Sequence, residues 1–132
     1  IIKDRIFAEL NLRNSNDELD LYDKVHTSLL KNNIIYPDLI IFLQSDTPRL
    51  MNNIKSRGRN YEKNMDWNYI DALNQIYNSF FFKYDESPVL VVNTNDIDFV
   101  NDKDDFQEIL NVLKGGPIVG TKYFNPTKST NI

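Results

Sequence analysis

The residues with the clearest chemical potential are the two arginines of Arg57-Gly58-Arg59, followed three positions later by Glu62. A guanidinium group is permanently charged and offers planar, bidentate donors that match phosphate oxygens. Gly58 can end a helix and let Arg59 swing outward, while Arg57 lies where the end of a helix favours a cation. The triplet predicts a hinged clamp that could stabilise charge on a transferring phosphoryl group. A capped helix end with two surface arginines is the alternative interpretation.

The patterns around this triplet predict the elements that would position it. Asp46-Thr47-Pro48 is typical of a helix start, with Thr47 as the cap and Pro48 at the first helical position, and Gly58 ends that helix. The apolar runs at residues 38–43 and 88–92 predict two strands that are covered on both faces. Two such strands, joined by a long helical crossover, indicate a parallel sheet.

Helical spacing of apolar residues predicts the remaining elements. Helices are expected over residues 1–12, from the Ser15 region to about residue 31, from Trp67 to Phe81, and over residues 106–113. The order helix, helix, strand, helix, helix, strand, helix favours an α/β fold with helices on both faces of the sheet. Two strands make a poor sheet, so we expect the later half of a larger α/β domain whose first strands precede Ile1. Residues 115–132 are expected to form a loose tail.

Composition limits the classes of protein that this chain can represent. With 132 residues, 41% of them hydrophobic, the chain is long enough for one compact domain. A net charge of −4 argues against a nucleic acid polymer as the main partner, and no apolar run is long enough to cross a membrane. The chain has no cysteine and a single histidine, His26, so we assign no metal ligand and expect a cytoplasmic protein.

Four segments, in order and at compatible spacings, resemble the deoxynucleoside kinase family, of the bacterial deoxyguanosine or deoxyadenosine kinase type. They are Ile6-Phe7-Ala8, the stretch of residues 37–62, the strand residues 89–92, and Asp98-Phe99-Val100. The resemblance covers about residues 1–114, with a lid at about 55–65, and implies a three-layer P-loop NTPase-like fold with a parallel sheet. It also implies nucleotide salvage: transfer of the γ-phosphoryl group of ATP, with Mg²⁺, to the 5′-hydroxyl of a deoxynucleoside, a purine one in preference.

The same resemblance implies a role for each matching acceptor-side residue. Phe7 would stack on the nucleoside base, and Lys3 falls where many members place a base-reading aspartate, which leaves the base preference open. Arg59 would reach the phosphates, and Glu62 would accept a hydrogen bond from the sugar 3′-hydroxyl. Judged from the residues alone, Phe7 could equally be a core residue and Glu62 a solvated surface acid.

On the ATP side, the resemblance places Arg57 against the adenine, opposite Phe99, with Asp98 in the same loop. Packing at the sheet edge is the alternative for Phe99. The family often has an arginine four positions before Arg57, where this chain has Asn53, and Lys55 could replace part of the missing charge. The family usually forms homodimers through its early helices, so residues 1–31 are expected to contact a second subunit.

One part of a P-loop kinase is missing from this sequence. It contains no Gly-x-x-x-x-Gly-Lys-Ser/Thr segment, and residues 115–122 carry their threonine and lysine in the wrong order for one. In the family, the phosphate loop and the acidic base come earlier in the chain. We therefore expect a C-terminal portion that is inactive alone. The alternatives are another P-loop nucleotide kinase, such as a thymidylate kinase, or a non-catalytic α/β interaction domain.

Overall fold

A computed structural model describes residues 2–30, 36–57 and 66–126. It contains these helices and strands, in chain order: α1 (Ile2–Leu12), α2 (Asn16–Leu30), β1 (Ile40–Gln44), α3 (Thr47–Arg57), α4 (Trp67–Lys83), β2 (Val89–Asn93), α5 (Lys103–Lys114) and β3 (Thr121–Phe124). The predicted order of five helices and two strands is confirmed within these residues, and a third strand is added. No helix in the described ranges is both long and apolar enough to span a membrane.

The strands form one parallel sheet in the order β1-β2-β3. Ile40 lies opposite Val89, and Val89 lies opposite Thr121, so β2 is paired on both sides. Residues 89–92 are at most 3% exposed, because they have neighbours on both faces of the sheet as well as on both edges. The parallel α/β sheet that the sequence predicts is therefore confirmed.

The side chains of β2 alternate between two core clusters. Val89 and Val91 join Ile6 of α1 and Phe81 of α4, whereas the next residues along the strand pack on the other face. There the buried members are Leu90, Val92, Ile97 and Ile109. Since successive side chains of a strand point to opposite faces, one short apolar run holds together helices from both layers.

The expectation of a loose tail over residues 115–132 is wrong for residues 121–124, which form β3. The backbone of this strand pairs with β2, and the N–H of Val89 donates to the carbonyl of Gly120 at 2.9 Å. Three of the four residues of β3 are exposed, so the strand has none of the apolar pattern that predicts a buried one. Its residues are held by backbone pairing at the edge rather than by side-chain burial.

Two helices begin differently from the prediction. Asp46, rather than Thr47, caps α3: its carboxylate accepts the backbone N–H of Arg49 at 2.9 Å. Helix α5 begins three residues before the predicted start at Phe106, because Asp102 accepts the N–H of Asp104 at 2.9 Å and caps an earlier turn. The helix end predicted at Gly115 agrees with the last helical residue, Lys114, whereas the end predicted at Gly58 lies outside the described residues.

Candidate functional site

Because the three strands are parallel, their carboxyl ends lie at the same edge of the sheet. Helix α3 begins three residues after β1, and a loop over residues 94–102 follows β2 directly. In open α/β sheets, ligands bind in the crevice outside these carboxyl ends. The carboxyl edge of β1 and β2 is therefore where a site is expected, and it brings α3 next to the loop.

Buried polar groups fix this edge. The hydroxyl groups of Ser45 and Thr94 hydrogen-bond to each other, and each residue is only 6% exposed. The backbone N–H of Thr94 donates to the carbonyl of Gln44 at 2.7 Å. These contacts continue the pairing of β1 and β2 past the last strand residues, so the starting points of α3 and of the loop are held at a fixed separation.

The first turn of α3 is also tied to α4. The hydroxyl of Thr47 donates to a carboxylate oxygen of Asp71 at 2.6 Å, and the amide of Asn74 donates to the carbonyl of Ser45 at 3.1 Å. Thr47 is 5% exposed. Its hydroxyl therefore joins two helices instead of capping its own, which explains why the cap is Asp46.

The loop after β2 is held by side chains from the helices on either side of it. The guanidinium of Arg49, on α3, donates to the carbonyl of Ile97 at 2.9 Å. A carboxylate oxygen of Asp105, on α5, accepts the backbone N–H of Asp98 at 2.8 Å. Asp105 is 7% exposed and Ile97 is 3% exposed, so both ties are anchored in the core.

The carboxylate of Asp98 closes the loop on itself. It accepts the side-chain amide of Asn101 at 2.9 Å and the backbone N–H groups of Asn101 and Val100 at 3.1 and 3.2 Å. These hydrogen bonds, the one from the Asn101 side chain first among them, lower the pKa of Asp98 below its ordinary value, and the nearby charge of Arg49 acts in the same direction. Asp98 is thus held as a carboxylate that shapes its own loop.

A cavity of about 670 Å³ lies between α3 and this loop. It is lined by three asparagines, a serine, an arginine, an aspartate and a valine: Arg49, Asn52, Asn53, Ser56, Asp98, Val100 and Asn101. Side-chain amides both donate and accept hydrogen bonds, which suits the edge of a heterocyclic base. We call this space the α3–loop cavity.

A second cavity, of about 250 Å³, lies between β1, α3 and α4. Its walls are mainly apolar, with Ser45 and Asn74 among the few polar groups. Among the residues that the structure describes, no arginine, lysine or carboxylate lines it, so these walls offer less to a charged or strongly polar ligand than those of the α3–loop cavity.

The predicted residues of the ATP side and of the lid divide into three groups. Asp98 lines the α3–loop cavity, whereas Phe99 is half-buried and packs against the core cluster of Leu90 and Ile97, the packing role that the sequence leaves open. Arg57 is the last residue of α3, the helix that forms one wall. Arg59 and Glu62 lie outside the described residues, as does most of the predicted lid at 55–65.

The other two predicted acceptor-side residues, Lys3 and Phe7, lie on α1. Phe7 is partly buried and Lys3 is exposed. The ammonium of Lys3 is 6.0 Å from the centroid of the Phe7 ring, within reach of a cation–π interaction. The structure therefore brings these two predicted residues together. Their roles in binding a nucleoside stay predictions.

Sequence reasoning missed most of the cavity wall. Arg49, Asn52, Asn53 and Ser56 recur every three or four residues along α3, so they form one polar face of that helix. That period was available in the sequence and extends N-terminally from Arg57. Asn101 had no such signal, because its place depends on the hydrogen bonds that fold the loop around Asp98.

Within residues 2–30, 36–57 and 66–126, no group of three or more histidine, cysteine, aspartate or glutamate side chains comes together as metal ligands would.

Comparison with known proteins identifies the family. The family model of deoxynucleoside kinases matches residues 1–115. The deoxyguanosine kinase of Bacillus subtilis (strain 168) is 34% identical over 113 residues, which cover 83% of this chain and 53% of that protein. The deoxyguanosine kinase of Lactobacillus johnsonii is 29% identical over 128 residues, covering 86% and 55% of the two chains.

A solved structure agrees with the sequence matches. The deoxyadenosine kinase from M. mycoides with bound dCTP superposes with a TM-score of 0.68 at 26% identity, covering 88% of this chain and 61% of that one. The parallel α/β arrangement is accordingly that of the P-loop NTPase-like fold. This chain spans about half the length of the curated relatives it matches. With residues 1–115 matched by the family model and a relative above 30% identity, the chain belongs to the deoxynucleoside kinase family.

Proposed function

We propose that the full-length protein transfers the γ-phosphoryl group of ATP to the 5′-hydroxyl of a purine deoxynucleoside, giving ADP and a deoxynucleoside 5′-monophosphate. The observation that carries this proposal is the match of the family over residues 1–115. The relatives include deoxyguanosine kinases and a deoxyadenosine kinase, which favours a purine acceptor. Salvage of deoxynucleosides is the process that such an activity would serve.

We assign the base of ATP to the α3–loop cavity. The amides of Asn53 and Asn101 line this space and could pair with the polar edge of adenine. Arg57 ends the same helix, and a guanidinium placed there could stack on the face of the base. Asp98 contributes by shaping the loop, because its carboxylate already accepts three hydrogen bonds.

We assign the phosphates to the arginines of the lid. In the transition state, negative charge spreads over the oxygens of the transferring group, and Arg59 would stabilise that charge with fixed donors. Mg²⁺ would supply further neutralisation of the phosphates, and none of the described residues is proposed as its ligand. Arg57, at the end of α3, would also stabilise the negative charge of the phosphates.

We assign the deoxynucleoside to Phe7, Lys3 and Glu62. The ring of Phe7 would stack on the base, and Lys3 beside it would contact the base edge. Glu62 would accept a hydrogen bond from the sugar 3′-hydroxyl. A group built to bind a hydroxyl discriminates strongly against acceptors that lack it, because its own carboxylate would then be left unpaired.

We further propose a homodimer in the cytoplasm. Leu21 and Val25 of α2 are 62% and 49% exposed, and they offer apolar surface to a second copy. The absence of cysteine from the 132 residues is compatible with a reducing compartment. Size-exclusion chromatography with light scattering would measure the mass, and a monomeric mass would contradict the dimer.

The activity is tested by incubating the full-length protein with ATP and Mg²⁺ and with each of the four deoxynucleosides in turn. Mass spectrometry of the products is expected to show 5′-monophosphates, with the highest kcat/KM for deoxyguanosine or deoxyadenosine. Thymidine monophosphate serves as a further acceptor, because its phosphorylation in place of the nucleosides would favour a thymidylate kinase. No phosphorylated product from any acceptor would contradict the proposal.

A further inference from the structure

Arg49 is a charged residue of α3 to which neither the family resemblance nor the proposed function gives a role. It lies two residues into the helix and half-buried, with its backbone N–H on the capping carboxylate of Asp46. Its guanidinium crosses to the loop after β2 and donates to the carbonyl of Ile97 at 2.9 Å. The two residues are 48 positions apart in sequence, so this contact joins two separate walls of the α3–loop cavity.

The carbonyl that accepts this hydrogen bond lies between the core and the cavity-lining part of the loop. Ile97 is 3% exposed and belongs to the core cluster of Leu90 and Ile109, and the next residue, Asp98, begins the cavity-lining part of the loop. From the other side, Asp105 of α5 accepts the N–H of Asp98 at 2.8 Å. The loop is thus held between α3 and α5, and Arg49 supplies a side-chain hydrogen bond to it from the side of α3.

The position of Arg49 along α3 relates this tie to the nucleotide. Arg57 lies eight residues further on, which corresponds to about 12 Å along a helix axis. Asn53 and Ser56 line the cavity between them. Because α3 is a continuous helix, fixing its first turn against Ile97 sets the distance between the cavity-lining residues of α3 and the loop that faces them.

We propose that Arg49 is a positioning residue for the phosphate donor: it sets the width of the α3–loop cavity and so the affinity for ATP. The inference rests on the proposed function, since it assumes that the base of ATP occupies this cavity. A guanidinium suits the task because its planar group of donors is rigid and stays charged at every working pH. Lysine at the same position would keep the charge while offering a single flexible point of contact.

The test uses the full-length protein with Arg49→Ala and Arg49→Lys, measured by steady-state kinetics with ATP and the preferred deoxynucleoside varied separately. For Arg49→Ala we expect the KM for ATP to rise about tenfold, since a buried carbonyl loses a charged donor. We expect kcat and the KM for the deoxynucleoside to change by less than about twofold. Arg49→Lys should recover part of the ATP affinity. Lys114→Ala, which removes one positive charge from the exposed end of α5, is the control and should match the wild type.

The outcomes separate this inference from the proposed function. If the wild type phosphorylates no deoxynucleoside, the proposed function fails and the role of Arg49 fails with it. If the wild type is active and Arg49→Ala keeps the ATP affinity, Arg49 is not a positioning residue although the function stands. A fall in melting temperature or in kcat alone, with both KM values unchanged, would indicate a purely structural role and would also overturn the inference.

Discussion

On the α4 side of the sheet, the rings of Phe42 and Phe81 stack with their centroids 4.7 Å apart, whereas at the carboxyl ends of the strands Ser45 and Thr94 meet through their hydroxyl groups. The first region, which we call the aromatic face, is held by burial and ring contacts that tolerate small shifts. The second region, the polar edge, is held by directional hydrogen bonds, which do not tolerate such shifts. The difference suggests that the aromatic face supplies stability while the polar edge fixes the geometry of the cavity.

The largest expected effect concerns the aromatic face. Phe81→Ala should lower the free energy of unfolding by about 3–5 kcal/mol, because it leaves a cavity beside Phe42 and Val91. Phe82→Ala is the matched control: Phe82 is 80% exposed, and its loss should cost less than about 0.5 kcal/mol. Urea denaturation of the full-length variants measures both. Equal losses at the two positions would mean that this face does not carry the stability.

The next effect concerns catalysis at the predicted lid. Arg59→Ala should lower kcat by about 10- to 1,000-fold, or roughly 1–4 kcal/mol, because a fixed positive charge on the phosphoryl group is lost. Glu62→Ala should mainly raise the KM for the deoxynucleoside. Steady-state kinetics separate the two, with Lys114→Ala again as the control, and the melting temperature should change little. Wild-type kinetics in both variants would remove the lid assignment.

A smaller effect is expected at the polar edge. Thr47→Val keeps the side-chain shape but removes the hydroxyl that donates to Asp71 at 2.6 Å, so we expect a loss of about 1–2 kcal/mol in unfolding free energy. Thr121→Val, at an exposed position of β3, should be nearly neutral. A double-mutant cycle of Thr47→Val with Asp71→Asn isolates the pair. Strict additivity of the two changes would show that the hydrogen bond between Thr47 and Asp71 contributes nothing.

The smallest expected effect is the pH dependence of folding stability that comes from Asp98 in the loop after β2. The pKa of Asp98 lies below its ordinary value of 3.8 because the Asn101 side chain and nearby backbone amides donate to the carboxylate. A lowered folded-state pKa means that the ionised form stabilises the fold above 3.8 and that this contribution disappears as the pH falls through the lowered value. The stability advantage of the wild type over Asp98→Asn should therefore shrink in acid.

Urea midpoints measured at several pH values would follow this advantage. Asp96→Asn removes an equal charge from an exposed neighbouring position and serves as the control. An advantage that grows as the pH falls would have the wrong sign, and it would contradict the hydrogen bonds assigned to the Asp98 carboxylate.

The aromatic face could be predicted from the sequence, while the polar edge could not. Residues 89–92 form an unbroken apolar run, and the spacing from Ile70 to Phe81 follows a helical period, so local patterns determine which sides are buried. The tie from Arg49 to Ile97 joins residues 48 positions apart, and no local pattern contains it. Thr47 has the residue type of a cap, yet its hydroxyl bonds Asp71 on another helix.

The candidate site could be predicted only in part, because local patterns do not contain the contacts between residues that are far apart in sequence. The α3 helix follows from its start signal and Asp98 from the family resemblance, and both lie at the α3–loop cavity. Val100 and Asn101 line the cavity where Phe99 was expected, since Phe99 turns towards the core and packs near Leu90. The strand β3 escaped prediction because its three exposed residues carry no apolar alternation and its pairing is made by the backbone.

We propose that the base of the phosphate donor lies in the α3–loop cavity. The most direct measurement is a titration of the full-length, ¹⁵N-labelled protein followed by NMR of the side-chain amides of Asn53 and Asn101, with ATP and with the deoxynucleoside added separately. We predict that both amide signals shift with ATP, saturate at the ATP affinity found by kinetics, and stay in place with the deoxynucleoside. An active protein in which saturating ATP leaves both amide signals unshifted would show that the base of ATP lies elsewhere.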